Sequence, residues 1–200
     1  MDAKDLLLTQ HAIVHSAAVS GARGGTLADR TFQVTDEQMR VRPAGQNSLA
    51  WLLWHVARAE DVFVHLIFGA GAQVHDETWR TRLGVDRPEF GAGMTPEEVA
   101  ALTDTIDLAA LREYRNAVGR RTRDVLRELP DSAWEGRIEP ADMQRAGDAG
   151  ALGRAAAPLT QFFTGQRRAV LLPSILAIHT SEHIGEALTV RSLGGFSLGV

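Results

Sequence analysis

Two histidines and a glutamate near the C-terminal end of the chain have the types and spacing that suit metal binding. His179 and His183 are four residues apart, and Glu186 follows within one further helical turn. Histidines at this spacing on a helix have Cβ atoms about 5–6 Å apart, so both imidazoles can reach one cation. An isolated pair is more often two core histidines held by hydrogen bonds, but the nearby carboxylate favours a metal site. Such a site needs a third ligand from elsewhere in the chain.

The element that must present these side chains is a helix predicted over residues 173–193. Pro173 suits the first position of a helix because it has no N–H to leave unpaired, and Gly194-Gly195 favour a helix end. On a helical wheel the two histidines and Glu186 share their face with apolar residues: Leu172, Ile175, Leu176, Ala187 and Val190. We therefore expect the helix to bury these polar groups, which then need partners.

The candidate for the third ligand is His55, in a helix predicted over residues 48–68 with Asn47 or Ser48 as its cap. This segment is apolar on almost every side, and His55 has apolar neighbours on its own face. A lone histidine in such a place is more often a hydrogen-bonded core residue than a ligand. It is nevertheless the only histidine of this helix flanked in this way, since His65 is predicted to lie at the surface. The sequence offers His55 as a ligand and leaves the core alternative open.

The remaining histidines form weaker patterns. His11 and His15 are also four residues apart, in a helix predicted over residues 3–19, but no carboxylate accompanies them at that spacing. We expect half-exposed helix histidines there, and not a metal site. His75 lies in a glycine-rich segment, residues 69–93, that is predicted to be a long loop.

The other segments predict further helices and loops. Thr95-Pro96 begins a short helix, and a longer helix capped by Asp107 is predicted over residues 108–129. Residues 133–153 are predicted to be mostly loop, and residues 155–163 a short helix. No segment alternates like a good strand. The sequence therefore predicts an all-α fold, a four-helix bundle with long crossover loops and short extra helices.

Composition limits the class of protein. The chain has 200 residues, 44% of them hydrophobic and 23% charged, which predicts a single domain over residues 1–200. The net charge is −4 and the basic residues are scattered, so we expect no nucleic-acid partner. The absence of cysteine excludes a thiolate nucleophile, a disulfide and a cysteine-ligated zinc ion. The acidic start and the lack of a long apolar run predict a cytoplasmic protein with no membrane partner.

The helix predicted over residues 48–68 also favours an oligomer. A helix that is apolar all round is either central in its fold or shared with a second subunit. Trp51 and Trp54 lie on sides of this helix that one helix–helix contact would not cover. We therefore expect a homodimer, in which this helix or the loops after it contribute to the interface.

Three stretches of the chain resemble the DinB-like superfamily, which includes the mycothiol-dependent maleylpyruvate isomerase type of domain. Residues 46–57, QNSLAWLLWHVA, resemble the second-helix segment of that family with its single histidine. Residues 35–38, TDEQ, fit a capping box and, with Arg42-Pro43, resemble the connector before it. Residues 179–186, HTSEHIGE, resemble the H-x-x-x-H-x-G-[QE] ending of the family's last helix. The resemblance runs from about the first helix to Gly195.

The resemblance implies a four-helix bundle with up-down-down-up connections, frequently a homodimer. It also implies a divalent cation held by His55, His179 and His183, with water at open positions. Members with a known reaction include thiol-dependent transferases and isomerases and metal-dependent hydrolases. Zinc, nickel and iron(II) all accept imidazole ligands, so the identity of the ion stays open.

Two functions follow as hypotheses. The first is a metal-dependent hydrolase or thiol-dependent transferase, whose three-histidine site activates water or a small thiol for an unknown small-molecule substrate. The second is a non-catalytic helical bundle that binds a metal or another ligand. Glu186 is the predicted catalytic residue. It is a general base, a fourth ligand or an acceptor that fixes a histidine tautomer, unless it only pairs with an arginine.

Overall fold

Residues 2–196 are described by the structure, a computed structural model, and they are mainly helical. Within that range the only pairing of the strand type is an isolated bridge between Arg137 and Arg167. The predicted all-α class is therefore confirmed. Among the same residues, no helix combines the length and the apolar character that a membrane crossing requires.

The α-helices are numbered in chain order. They are α1 (Ala3–Val14), α2 (Ala17–Ser20), α3 (Leu27–Phe32), α4 (Asp36–Arg40), α5 (Leu49–Asp61), α6 (Glu77–Leu83), α7 (Pro96–Thr105), α8 (Leu108–Glu128), α9 (Pro140–Asp148), α10 (Ala156–Phe163), α11 (Arg168–Pro173) and α12 (Thr180–Leu193). Two π-helical segments, Val62–Ile67 and Ser174–His179, extend α5 and join α11 to α12. Short 3₁₀ turns occupy Pro43–Gly45, Asp131–Trp134 and Gly153–Ala155.

Several helix starts follow from local capping chemistry. The Thr35 and Thr95 side chains accept hydrogen bonds from backbone N–H groups three residues on, in capping boxes that begin α4 and α7. Ser48 accepts from the N–H of Trp51 at the start of α5, and Asp107 starts α8 in the same way. These starts lie where the sequence predicts them, because a cap depends on residues close together in the chain.

Helix α5 is the central element, and every residue from Leu49 to Asp61 is buried. It packs along α8 and against α12, while α1 packs against α8 and the segment Ser174–His179. Two apolar clusters fill the interior, one that includes Trp54 and one that includes Phe63. Polar side chains on α5 consequently face neighbouring helices and not solvent.

The crossover after α5 covers the two tryptophans of that helix. Trp54 is fully buried and Trp51 is 6% exposed. Gly91 has a φ of +96° and lies so close to α5 that a Cβ there would be 2.7 Å from the Trp54 ring. The Nε1 of Trp51 lies 3.3 Å from the sulfur of Met94. The chain itself thus covers the surface on which the homodimer argument rested. The two tryptophans therefore give no reason of their own to expect a second subunit, and the homodimer stays a prediction.

Three local predictions were wrong. The first predicted helix is broken at His15 and Ser16, whose backbone is extended. The Ser16 N–H bonds to the His15 ring, and this local hydrogen bond competes with continuation of the helix. Helices α6 and α9 lie inside residues 69–93 and 133–153, which were predicted to be loops. Each of these helices is short, so its periodicity is weak in the sequence.

The last long helix begins earlier than predicted. It starts at Arg168, and Pro173 lies inside it. A proline inside a helix removes one hydrogen bond and crowds the carbonyl four residues before it. The wider π-helical turn Ser174–His179 follows the proline. The hydroxyl of Thr180, the next residue, donates to the Ile175 carbonyl at 3.1 Å. This wide turn ends at one of the predicted metal ligands.

Candidate metal centre

The three predicted histidine ligands come together in the structure. His55 comes from α5, His179 from the end of the π-helical turn and His183 from α12. The Nε2 atoms of His55 and His179 are 3.2 Å apart, and one nitrogen from each of the three rings lies within 4.8 Å of the others. His55 is buried, whereas His179 and His183 are partly exposed. Two of the three candidate ligands are therefore partly accessible to solvent.

Hydrogen bonds at Nδ1 orient two of the three rings. The Nδ1 of His55 donates to the Phe90 carbonyl at 2.6 Å, and that of His183 donates to Glu186 Oε2 at 2.9 Å. A carbonyl and a carboxylate only accept, so both rings must carry their proton on Nδ1. In each neutral ring the Nε2 atom is then unprotonated and has a lone pair that can bind a metal ion. The Trp51 ring stacks on His55 with centroids 4.7 Å apart and further limits its rotation.

Glu186 is held on both of its oxygens. Oε2 accepts from His183, and Oε1 accepts from the Asn47 amide at 2.8 Å. The hydrogen bond from His183 is the main cause that lowers the pKa of Glu186, and the Asn47 bond adds to it. No arginine forms an ion pair with Glu186 within residues 2–196. The arginine-paired alternative is thus not what the structure contains, and a catalytic role for Glu186 stays a prediction.

Burial favours the neutral form of His55 and His179. It lowers the pKa of His179 to about 4, with smaller contributions from His183 and Arg115. Burial also lowers the pKa of His55 well below its usual value, and the charges that His179 and His183 would carry lower it further. Metal ions bind neutral imidazole, so these shifts favour the form that can act as a ligand.

The donor set fits a divalent ion. The 3.2 Å between the Nε2 atoms of His55 and His179 is close to the separation of about 3.4 Å expected for two nitrogens that bind one tetrahedral ion. The Nδ1 of His179 is buried and has no hydrogen-bond partner among the described residues. Within that range, no further histidine or carboxylate joins the group. Three nitrogens without a fourth protein ligand are typical of catalytic zinc sites.

A second histidine cluster was missed by the sequence analysis. His11 and His15 were predicted to be half-exposed, yet both are fully buried beside Glu60 of α5. The Nε2 of His11 lies 3.0 Å from Glu60 Oε1, and the Nε2 of His15 lies 3.9 Å from Oε2. Arg115 of α8 also pairs with this carboxylate. The carboxylate comes from another helix, so no spacing within residues 3–19 could reveal it.

The second cluster fits a metal ion less well than the first. The backbone N–H of Ser16 donates to His15 Nδ1 at 2.9 Å, so a neutral His15 carries its proton on the Nε2 that faces Glu60. A ligand nitrogen cannot keep that proton. The Arg115 guanidinium already supplies the positive charge beside Glu60, and the pKa of His15 is lowered well below its usual value by burial and then by Arg115.

His65 was predicted to lie at the surface and is 1% exposed. Its Nδ1 is 2.9 Å from Asp61 Oδ1. The other Asp61 oxygen accepts from the Tyr114 hydroxyl at 2.7 Å and from Arg58 at 3.1 Å. The crossover after α5 folds back over this group, and His75 in that crossover packs on the Tyr114 ring. None of these residues belongs to the three-histidine group.

A cavity of about 330 Å³ reaches the metal-centre candidate from one side. Its walls include the aromatic rings of Phe162 and Phe163 and the side chain of Ile178, and His179 and Glu182 lie in its lining. This volume is at the small end of the range for ligand pockets, about 300–1,000 Å³. A small, largely apolar molecule in this cavity would contact His179.

A comparison with known families gives one match. A family model described as the DinB superfamily matches residues 25–171. No curated protein matches the chain. The matched range contains His55 and ends before His179 and His183. For the second and third histidines, the support is therefore the motif at residues 179–186 and the geometry described above.

Proposed function

The chain belongs to the DinB superfamily, and on that basis we propose that it is a divalent-metal-dependent enzyme whose ion is held by His55, His179 and His183. The observation that carries the proposal is the convergence of the three rings. Two of them are fixed by the Phe90 carbonyl and by Glu186 so that Nε2 is unprotonated. Zinc, nickel and iron(II) all suit such a set of imidazoles.

The proposed reaction is a hydrolysis or a thiol-dependent transfer on a small molecule. A divalent ion held by the three histidines would lower the pKa of a bound water or thiol and so would supply a nucleophile near neutral pH. The protein orients the ligands through Phe90 and Glu186. The apolar cavity beside His179 holds the substrate.

We assign Glu186 an orienting role in this site. Both of its oxygens are occupied, by Asn47 and by His183. An acceptor in this position fixes the tautomer of a ligating histidine and raises its basicity. Of the roles that the sequence left open, this one is better supported than those of fourth ligand or general base.

A non-catalytic helical bundle is the second candidate function. The observation that favours it is the short contact between His55 and His179, because a proton on His179 Nε2 would donate directly to His55 Nε2. That hydrogen bond would pair the two Nε2 atoms without a metal, although the buried Nδ1 of His179 stays unpaired among the described residues. The two candidates differ in whether the purified protein holds an ion and whether that ion has an open position.

We further propose the architecture of the family for this chain: one domain over residues 1–200, built as an up-down-down-up four-helix bundle. The contacts of α5 with α8 and α12, and of α1 with α8 and Ser174–His179, support this arrangement. A homodimer remains part of the proposal. Ile13 on α1 and Ile178 beside α12 are exposed and line one groove, which makes this face a better candidate interface than Trp51 and Trp54.

The metal site is tested by elemental analysis of protein purified without an affinity tag. We expect close to one divalent ion per chain in the wild type and almost none in His183→Ala, because two histidines hold an ion much more weakly than three. His75→Ala is the matched control, since His75 lies in the crossover and outside the group. Equal metal content in wild type and His183→Ala, or none in either, would contradict the proposal.

The open position is tested on cobalt-substituted protein. We expect azide to change the visible absorption spectrum, because a site with three protein ligands can accept an added anion. A spectrum that does not respond to azide, in protein that contains one cobalt ion per chain, would favour the non-catalytic candidate.

The role of Glu186 has its own test. We expect Glu186→Gln to weaken metal binding by about 10- to 100-fold, because the amide is a poorer acceptor for the His183 N–H. The measurement is the dissociation constant of zinc in competition with a chelating dye. Glu182→Gln is the control: its side chain is exposed on the same helix and makes no hydrogen bond to the described residues. Unchanged zinc affinity in Glu186→Gln would contradict the orienting role.

A further inference from the structure

A second and larger cavity lies away from the three histidines. Its volume is about 670 Å³, and its walls come from the ends of α1 and α3, the segment that follows α3, and faces of α5 and α8. None of the three histidines lines it. On α5 its lining residues are Leu53 and Val56, which lie on a different face from His55. The volume falls within the usual range for small-molecule sites, about 300–1,000 Å³.

The cavity combines an apolar wall with one buried cation. Val14, Phe32, Leu53 and Val56 supply apolar surface. Arg115 is only 5% exposed, and its Nη1 pairs with Glu60. Its Nε and Nη2 have no hydrogen-bond partner among the described residues, and neither is one of the fully enclosed unpaired atoms. Arg115 is one of the residues that line this cavity.

Two further groups place hydrogen-bond donors near Arg115. Asn116 accepts from the Ser16 hydroxyl through Oδ1 at 2.5 Å, which leaves its amide N–H groups without a partner in the described residues. Arg112 lies at the mouth, half exposed, and pairs with Asp36 at 2.9 Å. The one acidic side chain in the lining, Asp29, is occupied by the backbone N–H groups of Ala17 and Thr26.

We propose that this cavity binds a small amphipathic carboxylic acid. Its carboxylate pairs with the free edge of the Arg115 guanidinium, which presents parallel N–H donors that match a carboxylate. Its apolar body lies against Phe32, Leu53 and Val56. A buried cation with unused donors gains more from an anionic partner than an exposed one does, because water screens the attraction less. The proposal is independent of the metal centre.

The test uses 4-phenylbutyrate as the probe and 4-phenylbutan-1-ol as its uncharged match, with binding measured by isothermal titration calorimetry on the full chain. We expect one saturable site per chain for the acid and at least tenfold weaker binding of the alcohol. Equal affinity for the two compounds, or no saturable binding of the acid below about 5 mM, would overturn the proposal.

Variants then locate the binding. Ala28→Trp places a large ring in the cavity, and Val34→Trp does so from a second position in case the first variant does not fold. Either tryptophan variant should weaken acid binding at least tenfold. Arg115→Lys should do the same, because a lysine keeps a cation beside Glu60 but has no second pair of N–H donors for the carboxylate. His183→Ala should bind the acid like the wild type. Wild-type affinity in the tryptophan variants, or loss of affinity in His183→Ala, would assign the acid to another site.

Discussion

Arg115→Met should lower the free energy of unfolding by about 3–5 kcal/mol. The side chain of Arg115 is 6% exposed and that of Glu60 is 1% exposed, and the two form an ion pair. Removal of the arginine leaves the buried Glu60 carboxylate with only the imidazoles of His11 and His15 beside it in the described part of the chain, and no permanently charged partner. Urea unfolding at pH 8 measures the change.

The control for this prediction lies one helical turn away. Arg112 also pairs with a carboxylate, Asp36, but its side chain is 39% exposed and that of Asp36 is 70% exposed. Arg112→Met should therefore change stability by less than about 1 kcal/mol. The double variant Arg115→Met with Glu60→Gln should recover most of the loss, because no buried charge remains unpaired. A cost below about 1 kcal/mol for Arg115→Met alone would show that Glu60 is not buried as described.

Gly119→Ala should lower the free energy of unfolding by about 3 kcal/mol. Gly119 lies in the interior of α8, where alanine normally stabilises a helix by about 1 kcal/mol relative to glycine. Here a Cβ would be 2.2 Å from the Nε2 of His15, a distance no real contact shows. His15 is fully buried and its Nδ1 is held by the Ser16 N–H, so the ring has little room to move.

Gly147→Ala is the matched control for Gly119→Ala. Gly147 lies in α9, and a Cβ there would contact nothing within 4 Å. This variant should be neutral or more stable by up to about 1 kcal/mol. A double-mutant cycle with His15→Ala isolates the clash: the cost of Gly119→Ala should largely vanish once the ring is gone. Additive effects of the two substitutions would mean that Gly119 and His15 do not touch.

Both predictions concern the packing of α8 against α1 and α5, which the sequence analysis did not resolve. A helical wheel shows which face of a helix is apolar, but it does not show which helix covers that face. The polar residues His11, His15, Glu60 and Arg115 lie on three helices. Their burial becomes visible only when those helices are placed together.

The sequence by itself determined the all-α class, several helix starts and the candidate ligand pair on the last helix. Thr35, Ser48, Thr95 and Asp107 begin helices through side chains that reach backbone N–H groups three residues on, so the information is local. The spacing of His179 and His183 is likewise fixed within one helix. His55 was predicted as the third ligand from its apolar surroundings in the sequence and from the family resemblance.

Only the tertiary structure decided which groups form hydrogen bonds with each buried polar side chain. The Phe90 carbonyl that orients His55 is 35 residues away in the chain, and the Asn47 amide that holds Glu186 is 139 residues away. The burial of His15 and His65 and the wide turn after Pro173 were likewise not predicted. The physical reason is that desolvation and hydrogen-bond satisfaction depend on the distance between atoms in the folded chain. Sequence spacing fixes such distances only within a single helix.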